Sequence, residues 1–201
     1  MSGPLGLPSS HVPSAANAVV GEDLMQTAQA LLILMAMATW AKHKELSREA
    51  LAIQNLLATL ARDDGFRTSP TTEGRSWEEW ARAESVARTK FLIFCFFNLQ
   101  SIVYNIPPLI LNSELHMSLP CSAAMFRASN ASEWRQRKMS QHASALFQDG
   151  LRCLYRRGGQ KVTEHESSLG NYILIHGIVQ HIFYVRQAAH CRLRATSTLT
   201  M

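Results

Sequence analysis

Ser76 is followed three residues later by Glu79, and the chain then turns apolar on nearly every side from Phe91 to Phe97 before it meets Pro107-Pro108. Ser and Glu at this spacing form a capping box, in which each side chain satisfies a backbone N–H at a helix start. Two consecutive prolines remove backbone donors and cannot continue a helix. A helix that is apolar all round has to be enclosed by other elements. One central helix with the rest of the chain wrapped against it is therefore the first expectation.

Along that helix Trp77, Trp80, Glu84, Arg88, Phe91 and Cys95 recur at helical spacing and share one narrow arc. Glu84 and Arg88 thus lie on the aromatic face, as an i,i+4 pair in the favourable order. If that face is packed, each charge needs the other, and removing one alone costs about 3–5 kcal/mol.

The remainder reads as further helices. Residues 22–44 are rich in Ala, Leu and Met, which are strong helix formers. Ser47 is the expected N-cap of a second helix, with Glu49 in its first turn and Leu51, Leu56, Leu57 and Leu60 as its apolar stripe. A short link between the two predicts a helical hairpin. Asn130 and Glu133 repeat the cap spacing just before Trp134. Residues 140–155 read as a helix stopped by Arg156-Arg157-Gly158-Gly159, and 163–168 offer cap residues for a last helix over 172–187. With no period-two alternation, the expected class is all-α. One domain over 22–190 follows a flexible lead-in, 1–21, and precedes a frayed tail, 191–201. The lead-in carries Pro4, Pro8 and Pro13 and no basic n-region, so it does not read as a signal peptide.

Composition narrows the chemistry. The chain of 201 residues is 47% hydrophobic and 17% charged, so either its core is large or some apolar surface needs a partner. The last helix, apolar on several faces, is expected to leave such surface exposed and to favour self-association. The net charge of +5 is spread over separate short groups rather than a basic run, which suits solvated helix faces better than a nucleic-acid footprint. Residues 24–41 lack charge over the minimum length of a membrane span, but polar Gln26, Thr27, Gln29 and Thr39 favour a core helix and no membrane partner.

Catalytic and metal motifs are missing. Cys95, Cys121, Cys153 and Cys191 are too far apart for a zinc site or a disulfide framework. His165-Glu166 lacks the second histidine that a zinc-protease helix requires, and His176 and His181, five residues apart, face different ways; a hydrogen-bonded helix histidine is the simpler reading of each. Cys121 as a nucleophile would need an activating base or helix terminus. Trp77, Trp80 and Phe91 could line a ligand cavity, with Glu84 and Arg88 as its polar centre, which leaves an α-helical ligand-binding protein or enzyme as the alternative function. No phosphate-binding glycine loop or nucleophile elbow is present.

The ordered set Trp77, Trp80, Glu84-Ser85, Arg88-Thr89, Phe91, Phe94, Asn105, Pro107-Pro108, Glu114-Leu115, Leu119-Pro120-Cys121 and Glu133-Trp134 resembles the fungal-specific transcription factor domain, or middle homology region. The nearest likeness is to the variant found in fungal factors with C2H2 zinc fingers. A later piece, from Ser168-Leu169-Gly170-Asn171-Tyr172 through His176-Gly177 to Arg186-Gln187, is similar as well, so the resemblance spans roughly residues 24–190. The chain differs at Ala87, where the family often has a second arginine, and at Met125-Phe126, where it often has Trp. The resemblance implies a nuclear, non-enzymatic role in transcription regulation. Its partners would be other parts of a transcription factor or co-regulator proteins. No cofactor is implied for this chain. Zinc and DNA contact belong to a separate zinc-finger module whose residues this sequence does not contain, and the helical domain is expected to be incomplete on its C-terminal side.

Overall fold

The computed structural model describes residues 15–41, 43–67, 74–140, 144–156 and 167–197, with the description of 15–22, 47 and 191–197 confined to the backbone. The described residues form an all-α fold: α1 (Ala15–Thr39), α2 (Lys44–Asp63), α3 (Trp77–Tyr104), α4 (Ala123–Phe126), α5 (Ala131–Met139), α6 (Phe147–Tyr155) and α7 (Ser168–Ser197), with one 3-10 turn at Asn112–Glu114. The pairing of backbone strands among these residues is limited to two isolated bridges, Arg67 with His116 and Ser118 with Leu146.

The central helix is as expected at its start. Ser76 Oγ accepts from Glu79 N–H at 3.2 Å, and Glu79 accepts from Ser76 N–H at 3.0 Å. Its end comes earlier than the prolines. Asn105 takes a left-handed conformation (φ 53°), a cap that Asn tolerates better than most residues, so Pro107 and Pro108 lie beyond the stop rather than making it. Phe91, Phe94 and Phe97 are fully buried, and Phe91 and Phe94 meet Phe147 of α6, with Phe94 edge-on at 5.7 Å between ring centroids. Each such side chain contributes about 1.5–3 kcal/mol by leaving water.

Hydrogen bonds fix how the helices lie on α3. Gln29 donates to Thr89, and Gln100 to Thr39, so α1 runs parallel to α3. Gln54 meets Gln100 while Asp64 meets Lys90, so α2 runs the opposite way. Gln180 reaches Asn98 and Gln187 reaches Asn105, so α7 is parallel to α3 on its other flank. Gly177 lets α7 press against α6, since a Cβ there would lie 2.9 Å from Leu151 Cδ1.

Several element boundaries differ from expectation. Helix α1 begins at Ala15, inside the stretch read as a lead-in, and α7 continues to Ser197, into the expected tail. Ser47 is not the cap of α2; the helix starts a turn earlier after His43, which makes no side-chain cap bond. The helix expected from residue 140 starts only at Phe147, because Leu119 N–H bonds to Ala145 O and Phe147 N–H to Met117 O, which holds the intervening backbone extended. Gly158, Gly159, Thr163 and His165 lie outside the described residues. Among the described residues the helix long and apolar enough to cross a membrane is α3 rather than the stretch at 24–41, and 61% of its apolar window is buried within the fold, as befits a core helix.

Candidate functional site

Most of the expected site residues, but not Pro107, Pro108 and Glu114, converge on one place, where α3 meets the segment leading into α4. Glu84 and Arg88 are paired at 2.8 Å, with side chains only 12% and 15% exposed. The pair is not alone. Glu84 Oε1 also accepts from Cys121 N–H at 3.0 Å, and an Arg88 terminal nitrogen donates to Cys121 C=O at 2.9 Å. Both backbone groups of one residue are thus held by opposite charges one helical turn apart. Leu119 and Pro120, immediately before, are buried. The guanidinium also lies 3.9 Å above the Phe126 ring, a cation–π contact.

A small second core sits over this clamp. Cys121, Met125, Ala128 and Trp134 are buried together, with Trp77, Trp80 and Phe126 against them. Trp80 and Trp134 are 5.4 Å apart between ring centroids. Ser122 caps α4 by accepting from Met125 N–H, and Asn130 caps α5 by accepting from Glu133 N–H. Glu133 reaches back to Ser129 N–H rather than to the cap residue itself, a capping box displaced by one.

Glu114 belongs to a different cluster. Its carboxylate takes two bonds from Arg62 of α2, at 2.7 and 3.0 Å, and one from Leu111 N–H. The Arg62 bond holds the Glu114 carboxyl below its usual range. Pro107 is exposed and Pro108 buried.

Three polar features were not foreseen. Lys90 is buried, with Nζ 2.5 Å from Asp64 Oδ2 and from Gly65 C=O; it closes the C-terminal end of α2, where the helix dipole favours a cation. Gln180 binds three groups at once: its Nε2 donates to Asn98 Oδ1 at 3.1 Å and Ile110 C=O at 2.9 Å, and its Oε1 accepts from Asn112 N–H at 2.7 Å. Asn112 Nδ2 in turn donates to Gly177 C=O. Gln54, Gln100 and Thr39 form a third chain between α1, α2 and α3. Sequence offers a weak signal for all three, namely uncompensated polar residues inside otherwise apolar helices.

The arrangement is poorly suited to catalysis. Burial and the neighbouring Glu84 carboxylate push the Cys121 thiol up to about 12, and burial raises Cys95 further, so neither is a thiolate near neutrality. Cys153 is exposed. A thiol-reactive disulfide reagent at pH 8 is expected to modify Cys153 rapidly and to leave Cys95 and Cys121 unmodified until denaturant is added, as peptide mapping would show. Glu84 and Arg88 spend their bonds on Cys121, so the structure gives no support to a ligand centre there. No cluster of three potential metal ligands occurs among the described residues.

His176 is buried against the Tyr172 ring, and its Nδ1 lacks a hydrogen-bond partner among the described residues. His181 instead faces Tyr155 at 5.0 Å. Burial lowers the pKa of His176. A histidine that binds its proton less readily folded than unfolded contributes fully above the unfolded pKa of about 6.5, and that contribution is lost as pH falls below it. Thermal midpoints measured from pH 7.5 to 5 are therefore expected to decline, and to decline less in His176→Phe.

Compared with known proteins, the chain matches no curated protein and no solved structure. Residues 14–188 match the family model of the fungal specific transcription factor domain. That span takes in α3, the clamp on Cys121, the small tryptophan core and the Gln180 knot, most of the 201 residues. The chain belongs to the fungal specific transcription factor domain family.

Proposed function

We propose that this chain is the regulatory and interaction domain of a fungal zinc-finger transcription factor of the C2H2 type, acting in the nucleus on DNA-templated transcription. The family points to transcription regulation and to a non-enzymatic role. The observation that carries the finer reading is the use made of the motif. Glu84, Arg88 and the Cys121 backbone satisfy one another beside the buried Trp134 ring, in a cluster that fixes the placement of α4 and α5 on α3. Such a cluster builds a scaffold and leaves the outer helix faces to meet other parts of the factor or a co-regulator. Contact with DNA falls to a zinc-finger module and not to these residues, whose basic groups are scattered.

A gel-shift titration with the purified chain tests this division of labour. Weak binding is expected, similar for unrelated sequences and falling steeply with added salt, as for phosphate contacts alone. Tight, sequence-selective binding would overturn it.

A further inference from the structure

Helices α1, α3 and α7 lie side by side in one direction. The α1-to-α3 contacts join residues 60 and 61 positions apart, and the α3-to-α7 contacts join residues 82 positions apart at both places. Constant offsets mean parallel helices in a fixed register, so residues can be placed at a common height. Ile175 of α7 lies level with Leu92 of α3, and Met37 of α1 and Trp40, just past its end, lie level with the next turns of α3. On α3, Leu92 and Val103 fall on one line. Thr89 and Gln100, which meet α1, lie to one side of it, and Asn98 and Asn105, which meet α7, lie to the other.

The outward side of this three-helix layer is apolar. Met37, Trp40, Leu92, Val103, Ile175 and Ile182 are between 42% and 69% exposed. Segments 24–41, 91–104 and 168–185 contain no Asp, Glu, Lys or Arg. Together the six side chains present on the order of 700 Å² to water, close to the roughly 800 Å² that each partner contributes to a standard interface. Monomers seldom expose patches this large.

We infer that this face docks a second copy of the same chain. A partner recognised by charge would find nothing on it to pair with. A two-fold-related copy offers the same uncharged surface, so the copies meet without bringing their excess positive charge into contact. The area, doubled across a two-fold axis, reaches that of a specific dimer. Self-association through this face does not depend on the transcriptional role.

Sedimentation velocity of the full chain from about 1 to 100 µM tests it, a range that brackets a micromolar dissociation constant. The expected result is a concentration-dependent shift from monomer to dimer. Met37→Glu and Val103→Glu each place two new carboxylates at the interface and are expected to weaken dimerisation about tenfold or more. Both positions are exposed on helix surfaces, so circular dichroism should show unchanged helicity. Met139→Glu, on the exposed α5, should leave the dimer intact. The proposal is overturned by a monomer at every concentration, by a dimer insensitive to both face substitutions, or by a chain that stays monomeric while binding phosphatidylcholine vesicles.

Discussion

Arg88→Ala is expected to lower the stability of this domain by about 3 kcal/mol, at the low end for a broken buried pair because the two side chains keep slight exposure. For a chain of this size that corresponds to a fall in thermal midpoint of roughly 6–12 °C. Three losses combine. Glu84 is left as an uncompensated carboxylate, Cys121 C=O loses its donor, and the Phe126 ring loses the guanidinium above it. Replacing both Glu84 and Arg88 by Leu should cost less than the sum of the single changes, since no lone charge remains. A local signature accompanies the global one. The Cys121 thiol should become accessible to alkylation in Arg88→Ala under native conditions, while Cys95 stays protected. A stability change below about 0.5 kcal/mol, in the range of ordinary surface substitutions, would show that the clamp does not organise this region.

The second large effect is expected at Gln180. Gln180→Ala strips partners from Asn112 N–H, Ile110 C=O and Asn98 Oδ1 together. An unsatisfied buried group costs about 1–3 kcal/mol, so a loss of about 3–4 kcal/mol is expected after partial relaxation. Gln180→Glu should be no better. Its carboxylate still accepts from Asn112 N–H, but it turns an oxygen toward the oxygens of Asn98 and Ile110. Chemical denaturation of the two variants checks both statements, and tolerance of Gln180→Glu at the wild-type level would contradict the assigned orientation of the amide.

These two sites differ in how far sequence alone reveals them. Glu84 and Arg88 are four residues apart on a face already marked by Trp77, Trp80 and Phe91, so helical geometry places them and desolvation makes their pairing obligatory. Their joint grip on Cys121 is a contact across more than thirty residues of chain, which periodicity does not encode. Gln180 and Asn98 are 82 positions apart, and Arg62 and Glu114 are 52 apart. Each looks like an ordinary polar residue until the helices are docked. Lys90 misleads for the same reason: its natural place is solvent, and only the nearby end of α2 makes burial favourable.

The element boundaries tell a similar story. Ser76 and Glu79 mark a helix start because both halves of the device are local. Ser47 carries the right chemistry for a cap, yet the helix starts a turn earlier at Lys44. Residues 144–146 carry a helical pattern and are drawn into extended pairing with Met117, Ser118 and Leu119. There a tertiary contact outweighs a few tenths of a kcal/mol of local preference.

The scaffold reading joins the packed cluster at Cys121 to a role in transcription, and a tethering experiment tests that link most directly. The chain is fused to an unrelated DNA-binding module and expressed in a fungal strain carrying a reporter with the matching sites. Reporter output is expected to change several-fold, up or down, relative to the module alone, and Arg88→Ala is expected to abolish the change at matched protein levels. Output equal to that of the module alone, with the fusion present at its normal level in the nucleus, would contradict the assignment.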